Sequence, residues 1–328
     1  MWKRRSRKKF LRLRKSRQSS RVNKLREQFW RRIPVPKTIL FYLEYLIIRA
    51  ILCLLLALPK QFARTLLVSL TRSLSFFDKR HVNVTTENLH FAGININPNS
   101  VFRHFGETVF HMAQSVRLMR RSSFRRYFTF ENETILKEAI NSGRGTILVS
   151  GHLGNWEMGI AALALAGYPI NCVVFKQINP YLDNLINRYR TGCGIKIMYS
   201  RGAINRCVEA LNKREIVLML IDQTGRDEGV MADFFGRQAP AMWGPANLMI
   251  KTSASIIPFA CVSRRPGELD YLITFLPKIE YKQTGDKNRD IQCITQLYIK
   301  GIELLIRKYP EQWIWFHRRW KQYQTNRK

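Results

Sequence analysis

From Gly145 onward, six short β-prone runs alternate with helix-forming ones, and no other property of the chain restricts its fold so strongly. The strand candidates are Thr146–Ser150, Ile170–Phe175, Ile195–Tyr199, Ile216–Ile221, Ile256–Val262 and Tyr271–Phe275. Helical runs at 156–166, 181–190, 203–212 and 243–252 lie between most of them. That order predicts an α/β sheet, largely parallel in its first part, with Arg264-Arg265-Pro266-Gly267 turning a late hairpin. Ligands of such sheets gather beyond the carboxyl ends of the strands. Polar residues fall there: His152 after the first strand, Lys176 after the second, Ser200-Arg201 after the third and Asp222-Gln223 after the fourth. Asp222-Gln223-Thr224-Gly225 taken alone is also an ordinary turn. Four such positions in register point to a crevice.

The first strand runs into Ser150-Gly151-His152-Leu153-Gly154-Asn155-Trp156-Glu157, and a small-residue helical run follows until Gly167. A His and a carboxylate five residues apart lie about 140° apart on a continuous helix, so a turn has to bring them together. Gly151 and Gly154 permit a sharp turn, and Asn155 is a good N-cap, which places His152 before the helix and Glu157 in its first turn. A Glu that fixes the imidazole tautomer would leave the other ring nitrogen to take a proton from a hydroxyl. The competing structural reading is plain: a Glu in a first turn is favoured by the helix dipole alone, and a His beside a turn is often a surface residue. No second His follows at zinc-protease spacing, and the glycines do not match a dinucleotide fingerprint.

Charge is lopsided. The chain of 328 residues has 55 Lys plus Arg against 23 Asp plus Glu, a formal net of +32, which calls for an anionic partner: nucleic acid, membrane surface or phosphorylated substrate. Residues 1–32 hold fifteen Lys or Arg and the single acid Glu27, a net of +14. This arm is expected to be disordered in solution, becoming a basic amphipathic helix on anionic lipid. Sequence-independent binding to nucleic-acid backbones is the rival reading. Ile39 to Leu58 follows, a twenty-residue, mostly apolar run closed by Pro59 and long enough to cross a bilayer. Glu44 and Arg49 interrupt it, and basic residues flank both ends, so the positive-inside rule assigns no orientation. Its overlong basic lead makes a poor signal peptide.

Residues 60 to 141 read as helical, with elements around Phe62–Phe77 and Val101–Met119, the second capped by the Asn95–Ser100 loop. His81, His104 and His111 lack metal spacing and read as structural. Residues 224–242 read as a long loop carrying Phe234-Phe235-Gly236 and Met242-Trp243. The tail interleaves Trp313, Trp315, Phe316 and Trp320 with His317, Arg318, Arg319 and Lys321, a mixture that suits a membrane interface or a phosphosugar. Six cysteines without paired spacing indicate buried thiols and a reducing compartment.

Several blocks in order carry a resemblance: Asn88-Leu89-His90-Phe91, Ser150 to Glu157, Phe175-Lys176 with Asn179-Pro180, Arg190, Asp222-Gln223, Phe234-Phe235-Gly236, Ile257-Pro258 and Gln312 to Lys321. Together they resemble the lipid A biosynthesis acyltransferases of bacterial lipopolysaccharide assembly, with their His-x4-Glu motif. The likeness runs from about residue 39 to 321 and leaves out the arm. It implies a glycerolipid-acyltransferase-like mixed α/β sheet flanked by helices: a basic arm (1–38), a membrane-anchoring helix (39–59) and an acyltransferase domain (60–328), itself a helical lead (60–141) and an α/β catalytic part (142–328).

By the same resemblance, a fatty acyl group passes from an acyl-carrier-protein or CoA thioester to a hydroxyl of a lipid A precursor, on the cytoplasmic face of the bacterial inner membrane. His152 is the expected general base and Glu157 its orienting partner. Backbone N–H groups near Gly154 and Asn155, or a nearby cation, would meet the developing oxyanion. Lys176 and Arg190 are expected at phosphate or donor, and Asp222 and Gln223 complete the substrate-binding set. Lys176 stands where the family more often has Arg, and it lacks the bidentate fork. No metal or prosthetic group is implied. Phe234 and Phe235 would either line an acyl-chain groove or fold under as core. A phosphatidylinositol mannoside is the alternative acceptor, and a membrane-bound nucleic-acid-binding protein without catalysis is the rival class.

Overall fold

The computed structural model describes residues 36–118, 122–223 and 229–320. The basic arm lies outside the described residues up to position 35, as does Lys321 in the tail. Four helices come first: α1 (Lys37–Ala57), α2 (Lys60–Phe77), α3 (Lys79–Ala92) and α4 (Pro98–Leu118). Leu58 turns extended after α1 and Pro59 follows, which ends the helix as the sequence predicts. At the start of α4, Asn97 Oδ1 accepts from the Asn99 N–H at 2.9 Å.

A short strand β1 (Phe128–Glu131) and helix α5 (Glu133–Asn141) lead into the alternating region: β2 (Thr146–Ser150), α6 (Trp156–Leu165), β3 (Ile170–Val174), α7 (Pro180–Gly192), β4 (Lys196–Tyr199), α8 (Ala203–Asn212) and β5 (Ile216–Leu220). Strand β2 is buried along its whole length, which is why it reads as an unbroken apolar run rather than an alternating one. Asn155 caps α6 by accepting from Met158 N–H, and Asn179 caps α7, with Pro180 in the first turn.

The expected loop over 224–242 is instead largely a hairpin, β6 (Val230–Phe234) and β7 (Arg237–Ala241). Its two turn residues, Phe235 and Gly236, both have positive φ, 58° and 77°, as a tight two-residue hairpin turn requires. No Asn-Gly or Asp-Gly pair announces the turn, and Pro240 argues against a strand, so local chemistry hid it. Tertiary contacts hold it: Phe235 N–H donates to Glu303 Oε2 at 2.9 Å, and Asp233 N–H to Gln296 Oε1 at 2.8 Å. Both acceptors belong to α10 (Lys287–Lys308), which follows α9 (Gly244–Thr252), β8 (Ser255–Ser263) and β9 (Tyr271–Phe275). Phe234 and Phe235 are buried, so they are core.

The main sheet has seven strands in the order β1-β9-β8-β2-β5-β3-β4. From β8 to β4 every pairing is parallel; β9 returns antiparallel to β8 and β1 runs parallel to β9. The late hairpin sits where the 264–267 turn predicts. β2 and β5, separated in sequence by two strands and three helices, are neighbours at the centre. All six cysteines are free, with Cys172, Cys193, Cys207 and Cys261 buried.

Candidate active site at the carboxyl edge of the sheet

Ser150 and Leu220 are register partners at the ends of β2 and β5. Two residues beyond each lie His152 and Asp222, so adjacency of the strands delivers the pair. Asp222 is 1% exposed and makes three charge-assisted contacts. Its Oδ2 accepts from the His152 backbone N–H at 2.7 Å and from the Trp313 indole Nε1–H at 2.8 Å, and its Oδ1 lies 2.8 Å from His152 Nδ1. The imidazole is therefore held by Nδ1. Nε2 has no hydrogen-bond partner among the described residues, and 21% of the side chain remains exposed, with the Trp156 ring edge-on at 4.8 Å.

Burial lowers the proton affinity of His152, but the charge and hydrogen bond of Asp222, with a contribution from Glu157, more than offset it and hold its pKa above the ordinary imidazole value. Burial alone would raise Asp222; the imidazole, the backbone N–H and the indole keep it down at about 2. A neutral imidazole with one nitrogen fixed by a carboxylate and the other free can accept a proton from a hydroxyl.

The expected His152–Glu157 hydrogen bond is not formed. Glu157 sits in the first turn of α6, as predicted, but its carboxylate takes both arms of the Arg190 fork: Nε at 3.1 Å from Oε2, and Nη2 on Oε1. The guanidinium reaches across from the last turn of α7, and its planar fork matches a carboxylate better than a single imidazole N–H does. Glu157 thus acts on His152 through its charge and on α7 by direct contact. Arg190 is correspondingly engaged and does not present a free fork to a phosphate.

Gly154 and Asn155 also serve a different purpose from the one expected. Gly154 N–H donates to Gln312 C=O and Asn155 N–H to Cys261 C=O, each at 2.8 Å, so neither is available to an oxyanion. Gly154 has φ +62°, and a Cβ there would stand 2.0 Å from Cys261 O. Glycine is required by the close approach of β8. The Asn155 amide is buried, 3.2 Å from Tyr271 Oη.

Lys176, two residues past β3, is exposed and makes no ion pair among the described residues; its Nζ lies 5.9 Å from the Tyr199 ring. Arg201, past β4, is exposed too. Gln223 is half-buried and borders 224–228, which lie outside the described residues. On the β8 side, a cavity of about 350 Å³ is lined by Arg103, His104, Lys308 and Gln312, among others; His104 and Gln312 also line a narrow gap reaching Gly154, Trp156 and Trp313.

The family described as bacterial lipid A biosynthesis acyltransferase matches residues 27–322. This chain belongs to that family. The match starts inside the basic arm, somewhat earlier than the motif blocks alone place it. A phosphatidylinositol mannoside acyltransferase of Mycolicibacterium smegmatis is 25% identical over 189 residues, 56% of this chain and 60% of the relative. The lipid A biosynthesis palmitoleoyltransferase of Escherichia coli K12 is 27% identical over 201 residues, 61% of this chain and 63% of that protein. The E. coli lauroyltransferase is 28% identical over 180 residues, 54% and 56% of the two chains. The chain thus spans roughly three fifths of the length of the curated relatives it matches.

Within this family member, the blocks far from His152 turn out to be its supports. The tail aromatics do not face outward: Trp313, Trp315, Trp320 and Arg319 are all at most 1% exposed. Arg319 lies over Phe234 and donates to Pro240 C=O, and burial pulls its pKa down to about 10. Asn88 clasps the tail, its amide donating to Trp315 C=O at 2.6 Å and His317 C=O at 2.8 Å. The Gln312 amide bonds both N–H and C=O of Ser263. Sequence reasoning missed Trp313 as a site residue because 91 positions separate it from Asp222. His111 Nδ1 lies 2.5 Å from Tyr271 Oη while its buried Nε2 has no hydrogen-bond partner among the described residues, and burial lowers its pKa to about 3.

Proposed function

We propose that this protein is a membrane-associated O-acyltransferase that moves a fatty acyl chain from a thioester, carried on acyl carrier protein or CoA, to a hydroxyl of a lipid A precursor. One observation carries the mechanism: the free Nε2 of an imidazole whose Nδ1 is held by a buried carboxylate, at the carboxyl edge of a parallel sheet. Nε2 takes the proton of the acceptor hydroxyl as its oxygen attacks the thioester carbonyl. The C–O bond forms, the C–S bond breaks, and the departing sulfur receives that proton. Asp222 orients the base and stabilises the imidazolium, the part first assigned to Glu157. Glu157 holds Arg190 and adds negative charge beside His152. Lys176, free of acidic partners among the described residues, is the cation offered to phosphate.

The mycobacterial relative's name supports a second acceptor class, a phosphatidylinositol mannoside. Family membership favours either over the nucleic-acid reading. The deciding experiment offers membranes containing the full chain both acceptors, with acyl-carrier-protein and CoA thioesters of several lengths, read by mass spectrometry beside His152→Ala. A gain of one acyl group that vanishes in the variant establishes acceptor and base together. No gain on either acceptor from folded protein defeats the proposal.

A further inference from the structure

We infer that α1, although long and apolar enough to cross a bilayer, lies along one membrane surface with its outer face embedded in a single leaflet. The opposite face is fastened to the domain near both of its ends, while residues 46–51 between them are exposed. At its start, the Asn179 amide donates to Phe41 C=O at 2.8 Å and to Glu44 Oε2 at 2.9 Å, and the rings of Tyr42 and Tyr45 meet Tyr181 at 5.3 and 5.9 Å. Near its end, Leu52 and Leu55 pack with Phe110 and Ala113 of α4, and Gln114 reaches Leu55 C=O. From Phe41 to Leu55 the helix rises ~21 Å, against a hydrocarbon core of ~30 Å. Were α1 to cross the core, the α7 and α4 surfaces fastened to it would enter hydrocarbon, and exposed Arg188 and Arg117 on those helices would go with them. The two charges that interrupt the apolar run are consistent with this: Glu44 bonds Asn179, and Arg49 reaches the Tyr45 hydroxyl at 3.0 Å.

The outer face is Leu43, Ile47, Ile51 and Leu54, 47–60% exposed and spaced to share one side of the helix. α2 repeats the pattern with exposed Phe62, Leu66 and Leu70, while Thr71 packs so closely on Gly106 of α4 that a Cβ there would stand 2.2 Å from its Oγ1. The occupant is an anionic phospholipid surface. Exposed Lys37 and Lys60 stand at both ends of α1, and a helix lying flat presents both to the same headgroups. Phe175 and Ile178, 58% and 67% exposed, flank Lys176 in the loop just before Asn179. The membrane surface thus reaches the edge of the sheet that carries His152, with Lys176 at headgroup level.

This inference rests on the membrane association proposed above. Variants Lys37→Cys and Lys60→Cys of the full chain, in a Cys53→Ser, Cys293→Ser background that leaves only the four buried native cysteines, are treated with a membrane-impermeant maleimide in sealed inverted inner-membrane vesicles and in spheroplasts. Labelling of both sites in the vesicles and of neither in spheroplasts is the expected result. Labelling from opposite sides overturns the flat arrangement while leaving membrane association standing. Recovery of the chain free of membrane, with the face covered by a second copy, overturns both. An independent check pairs Tyr42→Cys with Tyr181→Cys in the same background. Cross-linking within membranes is expected, and its absence defeats the docking of α1 on the domain.

Discussion

Asp222 grips His152 twice, through the backbone N–H and through ring Nδ1, across seventy residues of sequence. Asp222→Asn is therefore expected to reduce acyl transfer by about 10²–10⁴-fold, because the amide can present an N–H toward Nδ1 and favour the wrong tautomer. The base must be neutral to work, so rate falls as pH drops through the His152 pKa, which lies above the ordinary 6.5. Loss of the carboxylate lowers that pKa and moves the acidic limb of the kcat/KM profile to lower pH. An unshifted limb in Asp222→Asn would show that this pair does not govern the profile.

Glu157 and Arg190 are expected to behave as one unit. A double-mutant cycle of Glu157→Gln and Arg190→Gln, followed by chemical denaturation, should return a coupling of about 0.5–3 kcal/mol, since each single change strands a half-buried charge. Additive losses would argue that the ion pair contributes nothing to folding.

Gly154→Ala should act on stability before it acts on substrate affinity. The left-handed backbone costs about 1–3 kcal/mol for a non-glycine residue, and the contact with Cys261 O adds to that. Thermal denaturation should show the loss directly. A normal melting temperature with a raised KM would instead return Gly154 to the substrate-binding set.

Trp313→Phe removes one donor to a buried carboxylate, at an expected cost of about 1.5–3 kcal/mol. Asp222 has a folded pKa of about 2, below its unfolded value of about 3.9. Its stabilisation is complete above the unfolded value and is lost as pH falls through the folded one. Without the indole the folded pKa rises, so acid unfolding of Trp313→Phe should begin at higher pH. His152 runs the other way: its raised pKa stabilises the fold below about 6.5 and the contribution fades as pH climbs past the folded value.

Deleting residues 1–32 removes a net +14 and is expected to make membrane attachment weaker and less salt-sensitive while leaving acyl transfer in detergent unchanged. Sedimentation across a salt series checks this. Identical salt profiles for the full and shortened chains would exclude the arm from attachment.

The secondary structure around the site was legible because its causes are local. Runs of β-branched residues, the Asn155 and Asn179 caps and Pro180 act within a few positions of themselves, so strands β2 to β5 and helices α6 to α8 sit within a few residues of where the sequence puts them. The hairpin over 230–241 was not legible, since a non-glycine residue, Phe235, takes the positive φ of its turn and the contact that holds it there comes from Glu303, sixty-eight residues on. His152 could be singled out as a candidate site residue from its place after a strand, and Asp222 as a polar residue after another.

By itself, then, the sequence determined the six strands from β2 to β5 and β8 to β9, where their carboxyl ends lie and which polar residues follow them, but not β1, inside a stretch read as helical, nor the β6–β7 hairpin. Only the tertiary structure decided which of those residues meet. Strand order is set by burial of the whole sheet, and it put β5 rather than β3 beside β2, so His152 found Asp222. Arg190, reaching over from the last turn of α7, gave Glu157 its guanidinium, and a bidentate ion pair outcompetes a single bond to imidazole. The His-x4-Glu spacing describes two neighbours on a turn, but their partners come from strands and helices that spacing does not record.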